Sequence, residues 1–138
     1  MSRLYLDASS IIYMTQGHEL FGAPTQRRIL QHLERPTARV LTSRLARLEC
    51  RMAPLRDRNH ELLAEYERFF ASERLELADI TAETIERATD LRARYKFKTP
   101  DTLHLATALE HGAEAVLTGD PAWRRCLELA VEVVDADQ

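Results

Sequence analysis

The sequence predicts an α/β fold: a three-layer α/β/α sandwich built on a short parallel sheet. Two observations carry this. Apolar runs of strand length, such as Leu4-Tyr5-Leu6 and Ala115-Val116-Leu117-Thr118, alternate with longer stretches in which apolar residues recur every three or four positions. Helices between successive strands act as crossovers, which makes the strands parallel and the connections right-handed. At 138 residues the chain suits one domain, residues 1–138, able to bury a core without staples.

Taken in order, Leu4-Tyr5-Leu6 is a strand ending at Asp7. Residues 25–34 place Ile29, Leu30 and Leu33 on one helical face, stopped by Pro36. Val40-Leu41 is a second strand, and 43–55 a helix with Leu45, Leu48, Met52 and Leu55 on one face. Residues 60–72, with Leu62, Leu63, Tyr66, Phe69 and Phe70, give the clearest amphipathic pattern. Leu75 and Leu77 mark a short third strand. Thr81 N-caps a helix to about Tyr95, with Ile85, Ala88 and Leu91 inward and Glu83 in the first turn. Thr99-Pro100-Asp101 opens the next helix, with proline at its first position and Gly112 closing it. A strand at 115–118, a short helix over 121–129 and a strand at 131–134 complete the chain.

Composition excludes several classes. The net charge of −3 favours no bulk association with polyanions. No uncharged apolar run approaches the roughly 18–20 residues of a membrane crossing, and Asp7 interrupts the stretch a signal peptide would need. Cys50 and Cys126 form no CxxC pair and read as reduced, helix-packing thiols of a cytoplasmic protein.

In a parallel α/β sheet, ligands bind beyond the carboxyl ends of the strands, where strand order reverses. Two strands run into acids there: Asp7 after the first and Asp120 after 115–118. Each also has the form of an ordinary helix cap. Asp101 opens a helix whose face continues through His104, Leu105 and Ala108, so it points inward. Glu49 borders the buried stripe of the helix after strand two, although a surface glutamate is the plainer reading. Jointly the four can converge on one cleft. Crowded carboxylates repel and raise one another's pKa unless a cation joins them, and hard oxygen donors select Mg²⁺ or Mn²⁺. Removing one acid, by Asp7→Asn or Asp101→Asn, is expected to relieve that repulsion. A metal so held activates water for attack on a phosphodiester. The chain offers no HExxH, GxSxG, Walker A or GxGxxG alternative.

Of 19 basic residues only Lys96 and Lys98 are lysines. Segment 39–58 holds Arg39, Arg44, Arg47, Arg51, Arg56 and Arg58 against Glu49 and Asp57. Segment 87–98 holds Arg87, Arg92, Arg94, Lys96 and Lys98 against Asp90. Each borders a candidate acid, so basic rims, with Arg44 and Arg47 as substrate contacts, would grip a nucleic-acid backbone. A solvated helix face is the plainer reading of each arginine.

At this point the residues resemble the PIN-domain ribonucleases, and among them the VapC-like toxins of bacterial toxin–antitoxin modules. TPDTLHLATALEHGAEAVLTGDPAW, residues 99–123, resembles the family's second half-site. Asp7 with Ser9 resembles its opening Asp-x-Ser, and Ser43 to Glu49 its helix-borne glutamate. The resemblance covers the whole chain. It implies a PIN-like fold and a Mg²⁺- or Mn²⁺-dependent endoribonuclease, a homodimer held inactive by a cognate antitoxin over its cleft. Asp7, Glu49, Asp101 and Asp120 fall on the catalytic positions, Asp7, Asp101 and Asp120 on the metal positions, and Ser9 and Thr118 on supporting hydroxyls. Gly119 departs from the pattern, where the family often has a bulkier residue, and is expected to loosen its loop.

Three rivals differ in testable ways. A stand-alone RNA-processing PIN nuclease shares the site but not the antitoxin. A receiver-like signalling domain would need adjacent acids after strand one and a lysine after the last strand, and this chain has neither. A haloacid-dehalogenase-like phosphatase would need an aspartate where Ser9 stands.

Overall fold

A computed structural model describes residues 2–136. The elements run β1 (Arg3–Leu6), α1 (Ala8–Thr15), α2 (Gly22–His32), β2 (Arg39–Ser43), α3 (Arg44–Arg56), α4 (His60–Phe70), β3 (Leu75–Ala78), α5 (Ala82–Tyr95), α6 (Thr99–Glu110), β4 (Ala115–Thr118), a 3-10 turn (Pro121–Arg125) and β5 (Val131–Val133). The helix expected over 121–129 is only that turn. Pro121 starts it without a backbone donor, and Cys126 is already extended at its end.

All strand pairings are parallel, in the order β3-β2-β1-β4-β5. From β1 the chain winds outward through β2 to β3, then returns to the opposite side of β1. The order therefore reverses between β1 and β4. Side chains alternate across the sheet as a strand requires. Leu4, Leu6, Val40, Ala115 and Leu117 pack against Ile11, Ile29, Ala46, Cys50, Tyr66 and Phe70 of α1–α4. Tyr5, Leu41 and Val116 pack against Leu91, Leu105 and Trp123 on the α5–α6 side. These are the two outer layers of the sandwich.

The helix caps behave as their residues dictate. Ser43 Oγ accepts from Ala46 N at the start of α3, and Thr81 and Thr84 form a reciprocal box at the start of α5. Helices α4 and α6 bury the expected faces, whereas α3 buries a different one and α2 and α5 each leave one expected residue outside. The leucine stripe of α3 faces solvent, with Leu48 61%, Met52 51% and Leu55 52% exposed. Ala46, Cys50 and Pro54 are buried instead. Small side chains let α3 approach α1, and Cys50 Sγ lies 4.0 Å from the Ala8 carbonyl oxygen. Likewise α5 buries Thr84, Ala88 and Leu91 and leaves Ile85 exposed, while α2 buries Thr25, Ile29 and His32 and leaves Leu30 outside. Among the described residues no helix is long and apolar enough to cross a membrane.

Candidate active site

The reversal between β1 and β4 opens a cleft of about 380 Å³ at the carboxyl ends of both strands. Asp7, Glu49, Asp101 and Asp120 all line it, together with Ser9, Tyr13, His104, Gly119 and Trp123. Four different elements thus bring the four carboxylates to one place.

Asp7 leaves β1 and N-caps α1, its Oδ1 accepting from Ser10 N at 2.9 Å. Capping and cleft lining are therefore one arrangement, not alternatives. The Ser9 hydroxyl donates to both carboxylate oxygens at 2.7 and 2.8 Å, and Thr118 Oγ1 donates to Oδ2 at 2.6 Å. These donors hold a carboxylate that is only 5% exposed. The same hydroxyls fix the β4 loop: Ser9 Oγ accepts from Gly119 N at 2.9 Å, and Thr118 Oγ1 from Asp120 N at 3.1 Å. Asp120 is exposed and caps the 3-10 turn through Ala122 N at 2.9 Å.

Asp101 sits in the first turn of α6 and accepts the Trp123 indole N–H at 3.2 Å. Burial pushes its carboxyl above the usual range, and neighbouring Asp120 pushes the same way against the Trp123 hydrogen bond. Trp123 is buried and orients an acid.

Glu49 reaches the cleft from α3. Its Oε1 lies 2.7 Å from His104 Nε2, and His104 Nδ1 lies 2.6 Å from the Tyr5 hydroxyl. Tyr5 also bonds Ser43 Oγ at 3.1 Å. Burial holds the Tyr5 phenol well above its ordinary value, so it stays protonated. His104 and Tyr5 were not singled out in the sequence. The available signal was a lone histidine on the apolar face that Asp101 begins.

Gly119 does not loosen its loop. A Cβ there would fall 2.5 Å from the Tyr13 hydroxyl, so the phenol ring occupies the space a larger residue would need. Tyr13 in turn packs against His18 and Phe21, ring centroids 5.0 and 5.1 Å away. Cys50 is no nucleophile, since burial pushes its thiol up to about 12.

The basic rims are redistributed. Arg44 pairs with Asp79, and Arg47 pairs with Glu67 at 3.3 Å while covering the Phe70 ring. Neither lines the cleft, and Glu67 takes Arg51 as well. Three arginines of the segment are thus paired with acids elsewhere in the chain, while Arg56 pairs with Asp57 within it. Among the described residues, Lys98 and Arg124 have no side-chain partner, as is true also of Arg58, Arg68, Arg87 and Lys96. Lys98 N-caps α6 three residues before Asp101, and Arg124 lies one 3-10 turn after the cleft residue Pro121.

A family model for the PIN domain matches residues 4–127, nearly the whole chain. The chain belongs to the PIN domain family. This removes the receiver and phosphatase rivals. No protein of curated function matches the chain significantly. Among solved structures, the PIN domain is similar to VapBC2 from Rickettsia felis bound to a DNA fragment from its promoter. The TM-score is 0.80 at 16% identity, covering 96% of this chain and 99% of that one. It is similar to DNA-bound VapBC from Salmonella typhimurium, with TM-score 0.76, 18% identity and coverage of 96% and 98%. It is similar also to the sarcin-ricin-loop-cleaving toxin VapC20 of Mycobacterium tuberculosis, with TM-score 0.66, 16% identity and coverage of 82% and 86%.

Among the described residues of the PIN domain, no three His, Cys, Asp or Glu side chains are placed to hold one ion together. The cleft's acidic donors are all carboxylates, and Mg²⁺ is typically bound through one or two of these with water completing its sphere. The donor chemistry fits such an ion and not an all-protein cage.

Proposed function

We propose that this PIN domain is a Mg²⁺- or Mn²⁺-dependent endoribonuclease serving as the toxin of a toxin–antitoxin pair. The observation that carries this is the single cleft lined by Asp7, Glu49, Asp101 and Asp120 at the sheet's point of reversal. Asp7, Asp101 and Asp120 would hold the ion, one or two of them directly and the rest through its water, and the ion when bound supplies an activated water and neutralises phosphodiester charge. The chain's own groups do the rest. Ser9, Ser10 and Thr118 aim Asp7, and Trp123 aims Asp101. Glu49 keeps Oε2 free of the His104 contact and so can accept a proton at the cleft edge. Lys98 and Arg124 flank the cleft as contacts for an RNA backbone, in place of Arg44 and Arg47.

The toxin role is supported by likeness to VapBC complexes, in which such a domain is solved with its antitoxin. An anionic cleft is complementary to a basic side chain from an antitoxin. The exposed Leu48, Met52 and Leu55 stripe of α3 offers apolar surface to that partner or to a second copy. The test is a labelled RNA incubated with purified protein. Mg²⁺ or Mn²⁺ should produce defined fragments, and both EDTA and Asp101→Asn should abolish them. Metal-independent cleavage, or full activity in Asp101→Asn, overturns the nuclease reading. Unimpaired growth on verified expression of soluble wild-type protein overturns the toxin role alone.

A further inference from the structure

Among the cleft residues Glu49 is held through a chain of two buried side chains, His104 and Tyr5. Glutamate has three side-chain torsions, and fixing them costs conformational entropy. Three other carboxylates line the same cleft, and like-charge repulsion favours swinging Glu49 out to solvent. Its side chain is 32% exposed, so solvent is within reach. His104 opposes this movement. The imidazole is 4% exposed and a carboxylate only accepts, so Nε2 donates to Oε1 at 2.7 Å.

His104 is itself anchored. Tyr5, fully buried on the central strand β1, meets Nδ1 at 2.6 Å and also bonds Ser43 Oγ at 3.1 Å. Ser43 is the N-cap of α3, the helix that carries Glu49. The contacts therefore close a ring: β1 through Tyr5 to the start of α3, along α3 to Glu49, and back through His104 on α6 to Tyr5. Both the origin of the helix and the tip of its acid are referred to one phenol oxygen.

We propose that His104 is a positioning residue, which with Tyr5 locks the Glu49 carboxylate against the cleft for RNA cleavage. This rests on the nuclease reading above. A displacement near 1 Å in a catalytic group can cost about 100-fold in rate. His104→Ala should thus lower kcat about 10- to 100-fold with KM for RNA within about twofold. His104→Gln, whose amide can still donate to Glu49, should recover most of the loss, and Tyr5→Phe should lie between them. The decisive measurement is a double-mutant cycle. In a Glu49→Gln background, His104→Ala should cost nothing further in kcat, because its target is gone. Losses that multiply, with thermal melts showing both variants folded, mean that His104 acts independently of Glu49 and overturn the proposal. Wild-type kcat in His104→Ala overturns it too. Absence of metal-dependent cleavage by the wild-type protein instead overturns the nuclease reading, and with it the purpose assigned to the ring.

Discussion

Asp7→Asn and Asp101→Asn look equivalent on paper, each removing one anion from a crowded cleft, yet the structure separates them. Asparagine caps helices about as well as aspartate, so the Ser10 N bond survives the first change. Its amide nitrogen, however, must face either the Thr118 hydroxyl at 2.6 Å or the Ser10 amide, both of which now donate to oxygen. The Thr118 hydroxyl can turn and accept from that nitrogen, but its bond and the Ser9 bonds then lose their charge assistance, about 1 kcal/mol each. Relief of repulsion returns part of this. The expected net loss is about 1–3 kcal/mol, or a fall in Tm of roughly 3–10 °C. Asp101 accepts one neutral indole N–H and is penalised by burial and by Asp120. Its amide should leave Tm unchanged or raise it. Thermal melts in EDTA at neutral pH, followed by circular dichroism, measure both, and RNA cleavage should be lost in both. An Asp7→Asn protein that melts at or above wild type would show that repulsion outweighs the Ser9–Ser10–Thr118 cradle, and the argument from hydrogen bonds would fall.

The raised Asp101 carboxyl gives a pH signature: the folded state holds this proton more tightly than the unfolded chain, so its penalty grows as pH rises through the folded pKa. The Tm advantage of Asp101→Asn in EDTA should therefore be largest at neutral pH and vanish toward pH 4, and an advantage independent of pH would refute it. Millimolar Mn²⁺ should raise the Tm of wild type but raise that of Asp101→Asn much less, because only the native cleft binds the ion. In an inactive Asp101→Asn background, Lys98→Glu with Arg124→Glu should weaken RNA binding and flatten its salt slope by about 0.7 per lost phosphate contact, read by fluorescence anisotropy. Arg44→Ala with Arg47→Ala should leave that slope unchanged. Gly119→Ala should cost about 1–3 kcal/mol in denaturant unfolding by driving a Cβ into Tyr13, and Tyr13→Ala should suppress that cost.

Much of the site is readable from sequence because strand ends are readable. Asp7 and Asp120 stand one and two residues beyond short apolar runs, and a parallel sheet delivers such positions to one edge. Asp101 follows from its place in a helix opened by Pro100. The face of α3 is not readable, since two stripes run along it at helical spacing. Leu45, Leu48, Met52 and Leu55 outweigh Ala46, Cys50 and Pro54 in hydrophobicity, but close approach to α1 selects the smaller set. The partners of the arginines are unreadable for a related reason. Arg44 and Arg47 find their acids at Asp79 and Glu67, distant in sequence and adjacent only once β3 and α4 are packed. Gly119 is explained by Tyr13, 106 positions earlier in the chain, and no local pattern encodes that meeting.

The hydrogen bond from Thr118 to Asp7 spans 111 residues. The first strand of the sheet receives its β4 neighbour only after residues 115–118 have been made, because β2 and β3 lie on its other side. Proteins emerge from the ribosome N-terminus first, so Asp7 is made early and waits for Asp101, Thr118 and Asp120. A nascent chain halted in α5 has half a sheet and no cleft. Under the ribonuclease reading proposed above this is a safeguard in time: the means to cut RNA is acquired only once translation has passed Asp120.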